Sequence, residues 1–292
     1  MITANDIETR KTLLRGWLDS RLSPAQLEWV DQRRQAIASD GKIAVLATAI
    51  GLASRKVGKS DLALTPVELK HLGAIRLGLD PSDWSIDQAT RILFALDRSA
   101  IREPAFSDSL DQVWRSTEIT EQIALLRGLP LYPEPDRLVA RAAEGIRSAM
   151  QPIFEAVAHR NPFPFEQFSE AQWNQMVLKA LFIGSRLAPI QGLDQRRNAD
   201  LSATLMDYVH ERWAAGRSVS PELWRCVGPF ARPQDVADVA QLLATGDSVE
   251  ASAATLALSE CPLPEAREAL SRVPKLWDAV KAERVTWDTI EP

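Results

Sequence analysis

Apolar residues recur along this chain every three or four positions, the spacing that lines up one face of an α-helix. Leu69, Leu72, Ile75 and Leu79 follow it, and so do Ile86, Ala89, Ile92, Leu93 and Leu96. No segment between turn signals alternates with the two-residue period of a strand. Helix starts are marked as well. Ser23, Thr65, Ser85, Ser169 and Asp247 each stand three residues before a Glu or Gln (Gln26, Glu68, Gln88, Gln172 and Glu250). In that arrangement the first side chain caps the helix and the second reaches back to it. Pro24 and Pro66 fall at first helical positions, where the missing N–H has no intrahelical acceptor to lose. The pattern predicts helices near 5–19, 24–38, 42–55, 66–78, 86–98, 107–116, 119–128, 136–158, 170–185, 199–215, 221–230, 234–245, 248–260, 264–272 and 274–282, with ends placed to about three residues.

Prolines divide these blocks. Pro130, Pro133 and Pro135 bar a helix between Gly128 and Pro135, and Asn161-Pro162-Phe163-Pro164-Phe165 reads as a second rigid break. The longest uncharged stretch, Ile43 to Ser54, is well short of the ~20 residues that span a bilayer and reads as a buried helix. After about Leu193 the helices become short and paired, punctuated by Gly216, Pro221, Pro233, Gly246, Pro262, Pro264 and Pro274. Such pairs resemble degenerate HEAT-type α-hairpins, each burying its apolar face by stacking on the next. The expected fold is all-α: an irregular helical bundle over 1–192 running into HEAT-like helical hairpins over 193–292, packed as one continuous unit.

Composition narrows the function classes. Of 292 residues, 46% are apolar and 25% charged, globular values that exclude a disordered chain or a disulfide scaffold. The net charge is -5 with a pI near 5.4, so the molecule repels polyanions and nucleic acid is excluded as a first reading. The first twenty-five residues carry Asp6, Glu8, Arg10, Lys11 and Arg15 and do not resemble a signal peptide. Cys226 and Cys261 have neither zinc spacing nor a partner framework, which fits buried apolar fillers in a reducing compartment. No transmembrane segment is expected, and the expected location is the cytoplasm.

Few strings carry chemistry. Gly58-Lys59-Ser60 ends like a phosphate-binding loop, but the first glycine of that motif would fall on Ala53, and a helix precedes it where a strand is needed. Arg55, Lys56 and Lys59 remain as a basic loop that either meets an anion or caps a solvated helix end. Glu68 with His71, and Asp207 with His210, place a carboxylate and an imidazole at i, i+3, the geometry of helical di-iron sites. Against that, Glu68 already fits the reach-back half of a cap. No nucleophile elbow and no activated cysteine is present. Glu134, Asp136 and Glu166 beside the proline breaks are equally consistent with ordinary surface carboxylates. The nine tryptophans read first as packing anchors, although Trp173, Trp213 and Trp224 lie where a concave groove would take an apolar ligand or a partner helix. Asn174 and Lys179 interrupt a strongly apolar helix, so each either satisfies the neighbouring loop or points into a pocket.

That last region, Asn161 to Pro164 followed by Trp173-Asn174-Gln175-Met176-Val177-Leu178-Lys179-Ala180, resembles the EboA family. The likeness extends through Gly192-Leu193-Asp194, Arg197-Asn198, Asp207-Tyr208, Glu211 to Arg217 and Ser220 to Arg225. Arg55 to Lys59 is similar to a family loop that more often opens with Pro-Arg, from which Ser54 departs. The resemblance implies context more than chemistry. Such proteins are encoded in bacterial clusters beside a TatD-like hydrolase, a UbiA-like membrane prenyltransferase, a dehydroquinate-synthase-like enzyme and a sugar-isomerase-like barrel, clusters linked to moving metabolite precursors toward the periplasm. It implies no catalytic residue and no cofactor. The expected function is a non-catalytic adaptor or carrier whose partners are proteins of the same cluster, including the membrane prenyltransferase, with an apolar small molecule as a further ligand. Through such a partner it would sit peripherally at the inner membrane. The alternative is a helical metal-dependent or isoprenoid-related enzyme. Candidate binding residues are Arg55, Lys59, Asn161, Trp173, Asn174, Lys179, Arg197, Glu211, Trp213, Trp224 and Arg225. Glu68, His71, Asp207 and His210 are the alternative metal set.

Overall fold

The computed structural model describes residues 3–246 and 248–290. Among them are seventeen α-helices and no strand; the single β-type pairing is an isolated bridge between Asp61 and Ser85. The chain divides into two compact units, one ending at Phe168 and the other beginning at Ser169.

The first unit contains α1 (Ala4–Asp19), α2 (Pro24–Asp40), α3 (Ile43–Val57), α4 (Pro66–Ile75), α5 (Ile86–Arg98), α6 (Phe106–Trp114), α7 (Ile119–Arg127), α8 (Pro135–Arg147), α9 (Gln151–Ala158) and α10 (Phe163–Gln167). Helix α5 is its axle, packed against α1, α2, α3 and α7. Nearly every α5 side chain is buried, so its charged residues must find partners inside. They do: Asp87 pairs with Arg91, whose Nε also donates to Ile50 O at 3.1 Å. Asp97 accepts from Arg34 Nε at 2.8 Å with Lys11 Nζ at 3.7 Å.

The second unit contains α11 (Glu170–Phe182), α12 (Ala199–Ala214), α13 (Trp224–Val227), α14 (Pro233–Thr245), α15 (Ser248–Glu260), α16 (Pro264–Ser271) and α17 (Pro274–Lys281). Here α15 is central, with α13, α14, α16 and α17 around it. Trp173 and Trp224 are fully enclosed, the packing role expected of most tryptophans.

The caps form as the spacing requires. Ser23, Thr65 and Ser169 each accept from the backbone N–H three residues on, and Gln26, Glu68 and Gln172 reach back. Gln88 accepts from Ser85 N at 3.1 Å. The cap expected at Asp247 lies outside the described residues.

Four expectations need correction. The helix expected over 136–158 breaks into α8 and α9, because Pro152 in the first turn of α9 cannot continue a helix from Ser148, whose Oγ instead accepts from Met150 N. The helix expected over 221–230 is one α-turn, α13, between 3₁₀ turns at Pro221–Leu223 and Gly228–Phe230. Pro229 removes a donor there, and Gly228 is pressed against the backbone of Ala257. The break at Asn161–Phe165 is in part a helix, α10, whose prolines sit at the cap and in the first turn where no N–H is required. Finally, α3 buries one stripe, Leu46, Ala49, Ile50, Ala53 and Val57, while Ala44, Thr48 and Gly51 are exposed. No helix of the described residues is long and apolar enough to cross a membrane.

Candidate functional site

Helices α11 and α12 of the second unit build the groove richest in unpartnered chemistry. On α11 the cap at Ser169 fixes the helix phase, turning Trp173, Met176, Val177, Ala180 and Leu181 into the core. The stripe left outside is Gln175, Leu178, Lys179 and Phe182, at i, i+3, i+4 and i+7. On α12 the buried stripe is Leu201, Ser202, Leu205, Met206 and Val209, and the outer stripe is Thr204, Asp207, Tyr208, Glu211, Arg212 and Ala215. Asn174 pairs with Asn198 near one end of the helices, and Tyr208 OH donates to Leu181 O at 3.4 Å near the other. Contacts in that order mean the two helices run in the same direction. Between the two outer stripes lies a groove of about 820 Å³, with Arg217 also in its lining.

Its chemistry is mixed. Leu178, Phe182 and Ala215 give apolar surface, and Phe182 is 75% exposed. Lys179, half-buried, makes no ion pair with any described residue, nor do Asp207, Glu211 and Arg217. Arg212 is committed elsewhere: its Nε and Nη2 donate to Ser218 O at 3.1 and 2.9 Å. This finishes a helix end in which Gly216, at φ 67, lets Arg217 N reach back to Arg212 O. An elongated ligand with an apolar body and polar ends would find partners along the groove.

The expected site residues do not gather in this groove. Of the binding candidates, Lys179 and Glu211 line it. Others hold the fold. Asn174 and Asn198 exchange amide hydrogen bonds of 3.2 and 2.9 Å, and Asn198 Oδ1 accepts from Leu201 N at 2.8 Å to cap α12. Arg225 donates to both oxygens of Asp194 at 2.7 Å, and these hydrogen bonds hold the Asp194 carboxyl below the usual carboxylate range. Arg197 Nη1 donates to Arg225 O at 2.8 Å and to Glu260 Oε2 at 2.6 Å, while Trp287 Nε1 donates to Glu260 Oε1 at 2.8 Å. Together they tie the loop before α12 to α13, α15 and the C-terminal segment. Trp173 is buried beneath the Arg196 guanidinium, 4.7 Å from its ring centre. Trp224 is buried against Trp213 at 6.1 Å.

In the first unit, Asn161 is buried and satisfied: Nδ2 donates to Leu126 O and Ala156 O, and Oδ1 accepts from Phe163 N at 2.9 Å. It is the hinge pin of α10. Arg55 and Lys59 lie exposed at the end of α3 and in the loop after it. Of the alternative metal set, Glu68 accepts from Arg21 Nη1 and Nη2 at 2.8 Å each, and His210 Nε2 lies 2.8 Å from Asp238 Oδ2. Among the described residues no group of three or more His, Cys, Asp or Glu is placed to hold a metal ion.

Sequence reasoning missed Leu178, Phe182, Tyr208 and Arg217. The signal was present: once Trp173, Met176 and Val177 are assigned to the core, Phe182 belongs to the opposite stripe and has no reason to be a phenylalanine for packing alone.

A family model described as "Metabolite traffic protein EboA" matches residues 10–228. No curated protein and no solved structure matches the chain.

Proposed function

The chain belongs to the EboA family, and from that premise we propose that it is a non-catalytic carrier that holds a metabolite precursor in the α11–α12 groove. Metabolite traffic is the family's described role. The precursor's apolar body lies along Leu178, Phe182 and Ala215, and its polar groups meet Lys179 and Glu211. One observation carries the reading: a phenylalanine left 75% in water on the rim of a groove of about 820 Å³. Such a volume is within the range that suits a small organic ligand, and re-covering the ring is worth roughly 1–2 kcal/mol. The adaptor part of the proposal is that the short helices after Leu193 act as HEAT-like hairpins presenting the loaded groove to cluster partners. The membrane prenyltransferase is the partner that would keep this protein at the cytoplasmic face of the inner membrane.

The test is native mass spectrometry of protein purified from cells that carry the rest of the cluster. A small-molecule adduct is expected on the unmodified chain. Phe182→Ser and Lys179→Met should each lower its occupancy about tenfold, equivalent to about 1.4 kcal/mol, without moving the melting temperature, since neither side chain is in the core. An adduct held equally by both variants would place the ligand elsewhere. No adduct, together with no cluster protein enriched in a pull-down, would remove the carrier and the adaptor together.

A further inference from the structure

The first unit holds a second cavity, of about 710 Å³, whose lining includes Arg10, Arg76, Leu129, Pro130, Pro133 and Phe163. Arg10 sits on the inward face of α1 and is 7% exposed. Among the described residues its guanidinium makes one hydrogen bond, from Nη1 to Leu131 O at 2.8 Å. Nε is enclosed without an acceptor, and no described carboxylate comes within ion-pairing distance. Burial and the nearby Arg76 both press on this cation and lower its proton affinity.

Every acid near it is occupied or outside. Glu166 is bidentate to Arg76 at 2.6 and 2.5 Å, and Arg76 Nε also donates to Pro130 O. Glu134, in a left-handed conformation at φ 56, accepts from the amides of Phe106 and Ser107 at the start of α6. Asp6 closes the cap with Thr3. Asp136 is at the exposed rim. A buried guanidinium is stable only when opposite charge and acceptors surround it; here Leu131 O is the acceptor, and the charges of Asp6 and Glu166 reach Arg10 only from beyond ion-pairing distance. The wall beside it is proline and phenylalanine, which offers a flat apolar face and few competing donors.

We propose that this cavity binds a small organic anion, its carboxylate or phosphate oxygens on the guanidinium of Arg10 and its apolar body against Pro130, Pro133 and Phe163. Arginine suits either oxyanion because its planar fork presents paired donors. The site is independent of whatever the α11–α12 groove holds.

Titration calorimetry of the full chain with hexanoate, hexyl phosphate, inorganic phosphate and hexylamine tests it. At least one of the two hexyl anions should bind about tenfold more tightly than inorganic phosphate, and hexylamine should not bind. Which hexyl anion binds better tells carboxylate from phosphate. Arg10→Gln should weaken binding about tenfold or more. Asp136→Lys, an exposed rim change that leaves the core intact, should tighten it about threefold, and this arm decides the matter if Arg10→Gln does not fold. Lys275→Gln, an exposed change in the other unit, should leave the affinity unchanged. Equal binding of hexylamine and hexanoate, inorganic phosphate matching hexyl phosphate, or indifference to both Arg10→Gln and Asp136→Lys would overturn the proposal.

Discussion

Replacing Glu68 by glutamine separates a structural clamp from a metal ligand. Glu68 receives Arg21 Nη1 and Nη2 at 2.8 Å each, Thr65 N at 2.7 Å and Thr65 Oγ1 at 2.9 Å. The hydrogen bonds from Arg21, reinforced by those from Thr65, hold its carboxyl down from an ordinary 4.5 to about 2. At 1.36 kcal/mol for each tenfold change in proton affinity, the shift corresponds to about 3 kcal/mol, which solvent around a side chain 23% exposed reduces to about 1–2 kcal/mol. Because the folded state binds this proton more weakly than the unfolded state, the stabilisation is complete above pH 4.5 and is lost as the pH falls toward 2. Arg21 keeps its bonds to Trp17 O, Leu62 O and Ala63 O in the variant, so removal of the charge is the main perturbation. Urea unfolding should therefore show Glu68→Gln destabilised by about 1–2 kcal/mol at pH 7, with more than half of that difference gone by pH 3. A difference that stays constant from pH 7 to pH 3 would refute the reasoning. So would zinc or ferrous ion that raises the midpoint of the unmodified chain and leaves Glu68→Gln unmoved, since that outcome assigns Glu68 and His71 to a metal.

Two further substitutions and one labelling experiment probe the rest of the fold. Gly228→Ala would set a Cβ 2.3 Å from Ala257 O and 2.8 Å from its Cα, backbone that cannot turn aside, and should cost about 3 kcal/mol in denaturant unfolding; a neutral result would mean α13 and α15 are not held this closely. Gly16→Ala, with nothing within 4 Å of the added methyl, should by contrast stabilise α1 by about 0.5–1 kcal/mol. The Cys226 thiol is fully buried, and burial pushes its pKa up to about 12, so iodoacetamide at pH 8 should label it only at the rate of unfolding. Labelling of the native chain at the rate of a free thiol would show that the second unit opens.

The parts of the fold legible in the sequence are those decided locally. Apolar spacing places α1 and α12, and spacing with caps places α2, α5 and α11, because a helix's phase and start depend on residues three or four apart. What failed depends on residues distant in sequence. Gly228 cannot be read as a point of backbone contact without knowing that Ala257 lies on it. Pro152 was passed over because one proline inside a long amphipathic run resembles a first-turn proline and an interior one equally, and only the Ser148 turn decides. Phe182 can be assigned to the outer stripe of α11 only once Trp173, Met176 and Val177 are known to be the buried one.

The strings that resemble the EboA family owe much of their content to the fold. Asn161 pins α10, Asn198 caps α12 and is held by Asn174, Asp194 and Arg225 join loop to helix, and buried Glu222 accepts from Leu187 N at 2.5 Å and Ala188 N at 3.3 Å to fix the loop after α11. A polar side chain whose hydrogen bonds are all made inside the protein has its chemistry spent there. Lys179 and Glu211 belong to the same strings and have no such partner, yet they sit on the outward stripes of the two helices that those staples hold side by side. Neither charge is held in an ion pair with another described residue. The Asn174–Asn198 and Tyr208–Leu181 bonds join the two helices and leave these groups facing the groove, which is why the proposed cargo is placed there rather than on the more heavily bonded network around Arg197.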